Sequence, residues 1–109
     1  MKKTLYQILT DPQTGLKIPV AYSHFKDKKT APKAPPYVVY LGNGQETFEA
    51  DNTHYHRRNT YQVEYYFTEK DEATEAAIEE LLLDNGFLYE KSEDVYIEDE
   101  GVFVIYYQI

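Results

Sequence analysis

Two histidines and an aspartate come nearest to a reactive constellation in this chain. His54 and His56 stand at i and i+2, so on a strand both imidazoles project from one face, with Asp51 close by. These are ligand types that zinc accepts, but a structural site needs four ligands and a catalytic one needs three plus water. The remaining histidine, His24, lies in a separate segment. Exposed polar residues on a hairpin explain the pair more simply, and no metal is expected. Carboxylates are plentiful, 19 against 11 basic groups, yet an acid–base pair requires a pocket and a shifted pKa rather than abundance. No Gly-x-Ser-x-Gly, phosphate loop or Gly-x-Gly-x-x-Gly occurs. The absence of cysteine removes thiol catalysis, disulfides and cysteine zinc sites together. The expectation is no catalytic residue, no cofactor and no enzyme.

Charge and aromatic content carry more information. Lys26, Lys28, Lys29 and Lys33 form a cationic cluster in residues 26–36, which also hold Pro32, Pro35 and Pro36. Such a segment reads as an extended, solvated loop. It is a candidate contact for an acidic partner or for DNA backbone, though four lysines in a loop are a weak nucleic-acid signal. The net charge of −8 opposes binding of nucleic acid through the overall field. Glu93-Asp94 and Glu98-Asp99-Glu100 could mimic phosphates, or simply form solvated turns. Tyrosine supplies 12 of the 109 residues and tryptophan none. Its apolar body and polar tip suit both contact surfaces and half-buried strands.

The elements that must position these groups fit one domain, residues 1–109, with a single core. Residues 1–11 begin with two lysines, but Thr4, Gln7 and Thr10 break the apolar run that a signal peptide needs. No segment reaches membrane-spanning length. Leu5, Ile8 and Leu9 share one face of a short N-terminal helix that Asp11-Pro12 ends. Residues 16–25 read as extended, with Pro19 making them an edge element at best.

Residues 37–41 are a short apolar run suited to a central strand. Gly42-Asn43-Gly44 reads as a turn, residues 46–50 as a short return strand with Phe48 inward, and Asp51-Asn52 as a second turn. Residues 61–67 alternate clearly, with Tyr61, Val63, Tyr65 and Phe67 on one face and Gln62, Glu64 and Tyr66 on the other. Residues 69–85 form the main helix, with Thr68 as N-cap and Gly86 as the stop. Thr74, Ala77, Ile78, Leu81 and Leu82 make its buried stripe, Ala73, Ala76 and Ala77 allow close approach to the sheet, and Glu75, Glu79 and Glu80 face water. Residues 87–90 and 95–98 pair with 102–109, an interior strand or one covered by a partner because both its faces are apolar. The fold class is α+β: a mainly antiparallel sheet of four or more strands with a long hairpin, packed against one main helix plus a short N-terminal helix.

The order of these pieces, and above all PVAYSHF, PPYVVYL with the following EADN, and YQVEYYF with the helix directly after it, resembles a known family. It is similar to the tail-terminator or head-tail joining (minor tail) proteins of long-tailed phages and prophages of Gram-positive bacteria. The resemblance covers nearly the whole chain. It implies a structural subunit that forms a ring, a hexamer by expectation, at the head-proximal end of the tail tube. That ring would end tube growth, face a head connector or stopper protein, and pass DNA without holding it. The protein would be made in the host cytoplasm and reside in the virion neck, with no membrane association. No individual functional residue carries over.

The hairpin supplies the candidates instead. Glu46, Phe48, Tyr55 and His56 are the expected subunit contacts, and Glu46, Glu49, Asp51 and Glu64 the expected lumen carboxylates. Lys26, Lys28, Lys29 and Lys33 are the expected partner-contact loop. An acidic binding module that inhibits a host DNA-binding protein is the alternative.

Overall fold

The computed structural model describes residues 4–26, 32, 34–49 and 55–109, without the side chains of residues 48, 49, 55 and 56. The fold is α+β, with six strands in one mostly antiparallel sheet, one main helix and a short N-terminal helix. The short helix α1 (Leu5–Thr10) begins with a reciprocal cap. The Thr4 hydroxyl accepts from the Gln7 amide and the Gln7 side chain accepts from the Thr4 amide. Its buried face is Leu5, Ile8 and Leu9, as the spacing predicts. The Asp11 carboxylate receives the amides of Gln13 and Thr14 and turns the chain. Gly15 is needed there, since a Cβ would lie 2.5 Å from the Asp11 nitrogen.

The chain then forms β1 (Val20–Tyr22), which pairs in parallel with β2 (Tyr37–Glu49) as an edge strand. β2 pairs antiparallel with β3 (Tyr55–Phe67). Here the expected turn at Gly42-Asn43-Gly44 is corrected. The chain continues straight, and Asn43 and Gly44 are accommodated as a bulge between the pairs Gly42↔Tyr61 and Gln45↔Asn59. This bulge takes a residue at positive φ, as glycine-containing turns do, and Gly44 supplies it at +90°. The Thr60 hydroxyl closes the bulge by donating to the Asn43 and Gly44 carbonyls at 2.9 and 3.2 Å. Residues 46–49 therefore prolong the first strand rather than return along it. The second expected turn, Asp51-Asn52, lies outside the described residues.

The main helix α2 (Glu72–Asp84) starts three residues later than expected. Asp71, not Thr68, is its cap, taking the Ala73 and Thr74 amides and the Thr74 hydroxyl. Its end matches expectation, with Gly86 at φ +84° just after Asn85. Ile78, Leu81 and Leu82 are buried as predicted, but the stripe runs through Glu75 instead of Ala77. Ala73, Ala76 and Ala77 are all exposed, so they do not seat the helix on the sheet.

β4 (Glu90–Lys91) and β5 (Val95–Ile97) both pair with β6 (Val102–Gln108), whose other side pairs with β3. β6 is thus interior. Val38, Tyr40, Val63, Tyr65, Phe67, Ile105 and Tyr107 form one core with the apolar faces of α1 and α2. Among the described residues no helix lies on the opposite sheet face. Among the described residues no helix is long and apolar enough to cross a membrane.

Leu82 is fully buried and its neighbour Leu83 is 49% exposed. Leu82→Ala should cost about 2–5 kcal/mol through the cavity it leaves. Leu83→Ala should cost about 0.5 kcal/mol or less. Urea unfolding of both variants checks the helix orientation.

Candidate functional site

Three features could do something beyond folding. The first is the far half of the β2–β3 pair. Residues 45–49 pair with 55–59 and, among the described residues, with no other strand. This ribbon lies outside the core cluster and contributes to a long molecule, 50 × 30 × 27 Å. Glu46 sits on it, 53% exposed, with Arg58 Nη2 3.0 Å from its Oε2. Phe48 is opposite His56, and Glu49 is opposite Tyr55. The expected subunit contacts Glu46, Phe48, Tyr55 and His56 are therefore brought onto one ribbon.

The second feature is the helix-free face of the sheet. Asn43 donates to Gln108 Oε1 at 2.5 Å, and Gln108 donates to Gln62 Oε1 at 2.7 Å. Gln62 in turn donates to Glu64 Oε2 at 2.8 Å, and Tyr66 donates to Glu64 Oε1 at 2.6 Å. This row crosses three strands and ends on one carboxylate. Burial, and then the Glu64 hydrogen bond, push the Tyr66 hydroxyl well above the usual tyrosine range. Tyr37 and Tyr66 stack beside the row with centroids 5.0 Å apart. The wetter face predicted for Gln62, Glu64 and Tyr66 is thus a connected polar surface with aromatic margins.

Of the four expected lumen carboxylates, Glu64 lies in this row and Glu46 on the ribbon. They share a sheet face but stand six positions of β3 apart through Arg58, about 20 Å. Glu49 is at the ribbon's end, its side chain outside the described residues, and Asp51 lies outside them altogether. In the lysine cluster, Lys26 is exposed, while Lys28, Lys29 and Lys33 lie outside the described residues. His54 does too, and no metal-binding group of His, Cys, Asp or Glu is present among the described residues.

The third feature is one that sequence reasoning missed. Glu75, expected in water, is only 3% exposed, and Glu79 is half-buried. Lys91 Nζ lies 3.0 Å from Glu75 Oε1 and 2.9 Å from Glu79 Oε2. Lys70 Nζ lies 2.8 Å from Glu75 Oε2 and 3.0 Å from Asp94 Oδ2. The Tyr107 and Tyr89 hydroxyls both donate to Glu79, at 2.8 and 3.1 Å. Lys70, Glu75, Glu79 and Lys91 border a shallow pocket of about 300 Å³. The i, i+4 spacing of the glutamates was a visible signal, but their lysines come from distant segments.

Burial pushes the Glu79 carboxyl up, but hydrogen bonds from Lys91, Tyr107 and Tyr89 outweigh it and leave it below the usual range. Hydrogen bonds to Glu75 and Asp94 hold the Lys70 ammonium well above its ordinary value. Both carboxylates are tied to cations, an arrangement that locks the helix to the sheet.

The comparisons with known proteins identify no relative: no family model, no curated protein and no solved structure matches this chain. The fold and these surfaces define it as an α+β domain with a projecting β-ribbon.

Glu79 and Asp71 contribute to the pH dependence of folding. Glu79 is held below its ordinary 4.5, so its contribution is complete above that value and is lost as pH falls through the lower native one. Asp71, lowered first by the Thr74 hydroxyl, adds in the same direction. At the other end Lys91, raised first by its hydrogen bond to Glu79, contributes fully below 10.5 and loses that contribution as pH rises through its higher native value. Urea midpoints should be flat near neutrality and fall on both sides. Glu79→Gln should flatten the acid limb; an unchanged acid limb would assign it to other groups.

Proposed function

We propose that this protein is a structural subunit of a phage neck, closing into a ring at the head-proximal end of the tail tube. The observation that carries the reading is the ribbon. A two-stranded pair is marginal in water on its own, and this one projects from the core with no further strand on either edge among the described residues. An exposed edge invites another chain to pair with it. When the contact is head-to-tail between identical copies, it closes a ring if the rotation permits. A hexamer is the expected stoichiometry.

The resemblance of PVAYSHF, PPYVVYL and YQVEYYF to tail-terminator and head-tail joining proteins supports the same role. In this reading the ring ends tube growth, contacts the tail-tube protein below and the head connector or stopper above, and passes DNA. It is not an enzyme, and it resides in the virion neck after assembly in the host cytoplasm. Glu46, Phe48, Tyr55 and His56 supply subunit contacts. Glu46, Glu49, Asp51 and Glu64 keep the lumen unattractive to phosphate, and Lys26, Lys28, Lys29 and Lys33 face a neighbouring component. Arg58 moderates the charge of Glu46, so the repulsion rests more on the other carboxylates.

Replacing residues 46–58 by Asn-Gly joins Gln45 to Asn59 through a two-residue hairpin turn. The variant should keep its core, remain a folded monomer and fail to stop tube growth. Electron microscopy of tails made with it reads the outcome; tails of normal length would remove the ribbon from the mechanism. Duplex DNA at low salt should give no gel shift in the micromolar range. A shift that weakens with salt and disappears when the four lysines become glutamine would make that loop a DNA contact. A monomer that captures a host DNA-binding protein would favour the acidic inhibitor instead.

A further inference from the structure

Two short strands border the sheet on opposite sides. Among the described residues β1 pairs with β2 alone, and β5 pairs with β6 alone. Four strand spacings separate the two, about 19 Å. Each is three residues long and carries a tyrosine that its own fold leaves open, Tyr22 at 51% exposure and Tyr96 at 54%. Both tyrosines stand on the face that holds the core, since Tyr22 is opposite Tyr40 and Tyr96 is opposite Phe103.

The backbone groups each edge offers follow from the bonds on its inner side. The Pro19 carbonyl accepts from the Val38 amide, and the Ser23 amide donates to the Tyr40 carbonyl. Bonding direction alternates along a strand, so residues 19, 21 and 23 face β2 and Val20 faces outward. On β6 the Tyr106 carbonyl accepts from the Ser92 amide, so Val104 and Val102 also bond towards that side. Their partners Val95 and Ile97 are turned inward, and Tyr96 presents its amide and carbonyl outward. The edges also differ in charge. Residues 92–100 hold Glu93, Asp94, Glu98, Asp99 and Glu100 and no basic group, whereas residues 12–33 hold five lysines and one aspartate. Asp94 is held by Lys70, but Glu98, Asp99 and Glu100 are exposed. Lys17 is exposed too and donates to the Pro12 carbonyl rather than to a carboxylate.

We propose that β1 of one copy pairs with β5 of the next, so that the sheet runs on from subunit to subunit. Within one subunit β1 runs with β2 and β6, and β5 runs against them. A head-to-tail join that keeps the sense of the sheet therefore makes the new pair antiparallel. Val20 stands opposite Tyr96 and exchanges both backbone bonds with it. Tyr22 is the poorer partner, because its carbonyl already accepts from the His24 amide. In this register Ala21 meets Val95, Lys17 approaches the acidic turn at 98–100, and Tyr22 and Tyr96 become diagonal neighbours that cover each other. The join deepens the ring reading and rests on it for closure; it adds a second contact beside the ribbon.

Disulfide trapping tests the register. Ala21 and Val95 would form a non-hydrogen-bonded pair with Cα atoms about 4.5 Å apart, within reach of a disulfide. The native chain has no cysteine, and positions 21 and 95 of one subunit are too far apart to bridge. Ala21→Cys/Val95→Cys, oxidised at high protein concentration, should give a ladder of cross-linked oligomers that ends in closed rings. Either single variant should stop at a dimer, and Ala21→Cys/Glu72→Cys, with one thiol at the start of α2, should give no ladder. Adding Asp99→Lys should weaken the ladder at least ~3-fold, and Lys17→Asp on top of it should restore the yield. In the native chain, nuclear magnetic resonance at rising concentration should show the Val20 and Tyr96 amides shifting and gaining protection together. Protection confined to one edge, as like-with-like pairing would give, would overturn the proposal, as would a ladder no stronger than the Glu72 control. If the ribbon-shortened variant then still fails to stop tubes, the ring reading stands without the edge join. A ladder that never closes would uphold the edge join and overturn the ring.

Discussion

β3 is thirteen residues long, and the sheet is organised around it: β2 pairs with it from Tyr55 to Tyr66 and β6 from Gln62 to Phe67. Where β3 has partners on both sides, its residues Val63, Tyr65 and Phe67 are buried and the core forms around them. Ahead of Tyr61, among the described residues, β3 pairs with β2 alone and the pair leaves the body as a ribbon. Backbone groups in such a region must be met by water or by another chain. Core and ribbon are thus two halves of the same strand pair.

A bulge marks the point where the pair leaves the body. Two residues of β2, Asn43 and Gly44, oppose Thr60 alone, which changes the phase of β2 relative to β3 between body and ribbon. Thr60 holds the extra residues through both carbonyls, and Asn43 reaches across to Gln108. A bulge also sharpens local twist, so the ribbon need not follow the plane of the body sheet. The polar row from Asn43 to Tyr66 starts at this irregularity and fixes side chains on three strands. Its terminal acceptor, Glu64, receives two side-chain donors on the face that no helix covers.

Much of the fold was legible in the residues. Period-2 alternation in 61–67 and the paired faces of 102–109 reported strand and burial, because their side chains alternate between two environments. The i, i+3, i+4 pattern in Leu5, Ile8 and Leu9 reported α1 in the same way. Gly42-Asn43-Gly44 misled because glycine-containing turns and this bulge share one backbone requirement, and only the partner strand decides between them. Glu75 misled because its burial depends on Lys70 and Lys91, residues outside its own helix. A carboxylate enters a core when cations arrive with it, a tertiary fact with no local signature. The candidate surfaces divide similarly: the hairpin was visible as polar strands, whereas the Glu75–Glu79 cluster depends on lysines from distant segments.

The charge distribution bears on which assemblies the chain can join. A net −8 makes copies repel one another at long range, so a self-contact must place opposite charges or bury apolar area. Lys70 and Lys91 cannot serve, since they are spent on Glu75, Glu79 and Asp94. Arg57 and Arg58 on the ribbon are exposed, and only Arg58 has a described carboxylate partner, Glu46. The ribbon is therefore less acidic than the body it leaves, and it is the element best suited to lie against the acidic surface of another copy. Backbone pairing along its free edge supplies the short-range term and charge contrast supplies orientation. Such a contact weakens as salt screens the attraction, whereas one built on the tyrosine margins of the helix-free face would not.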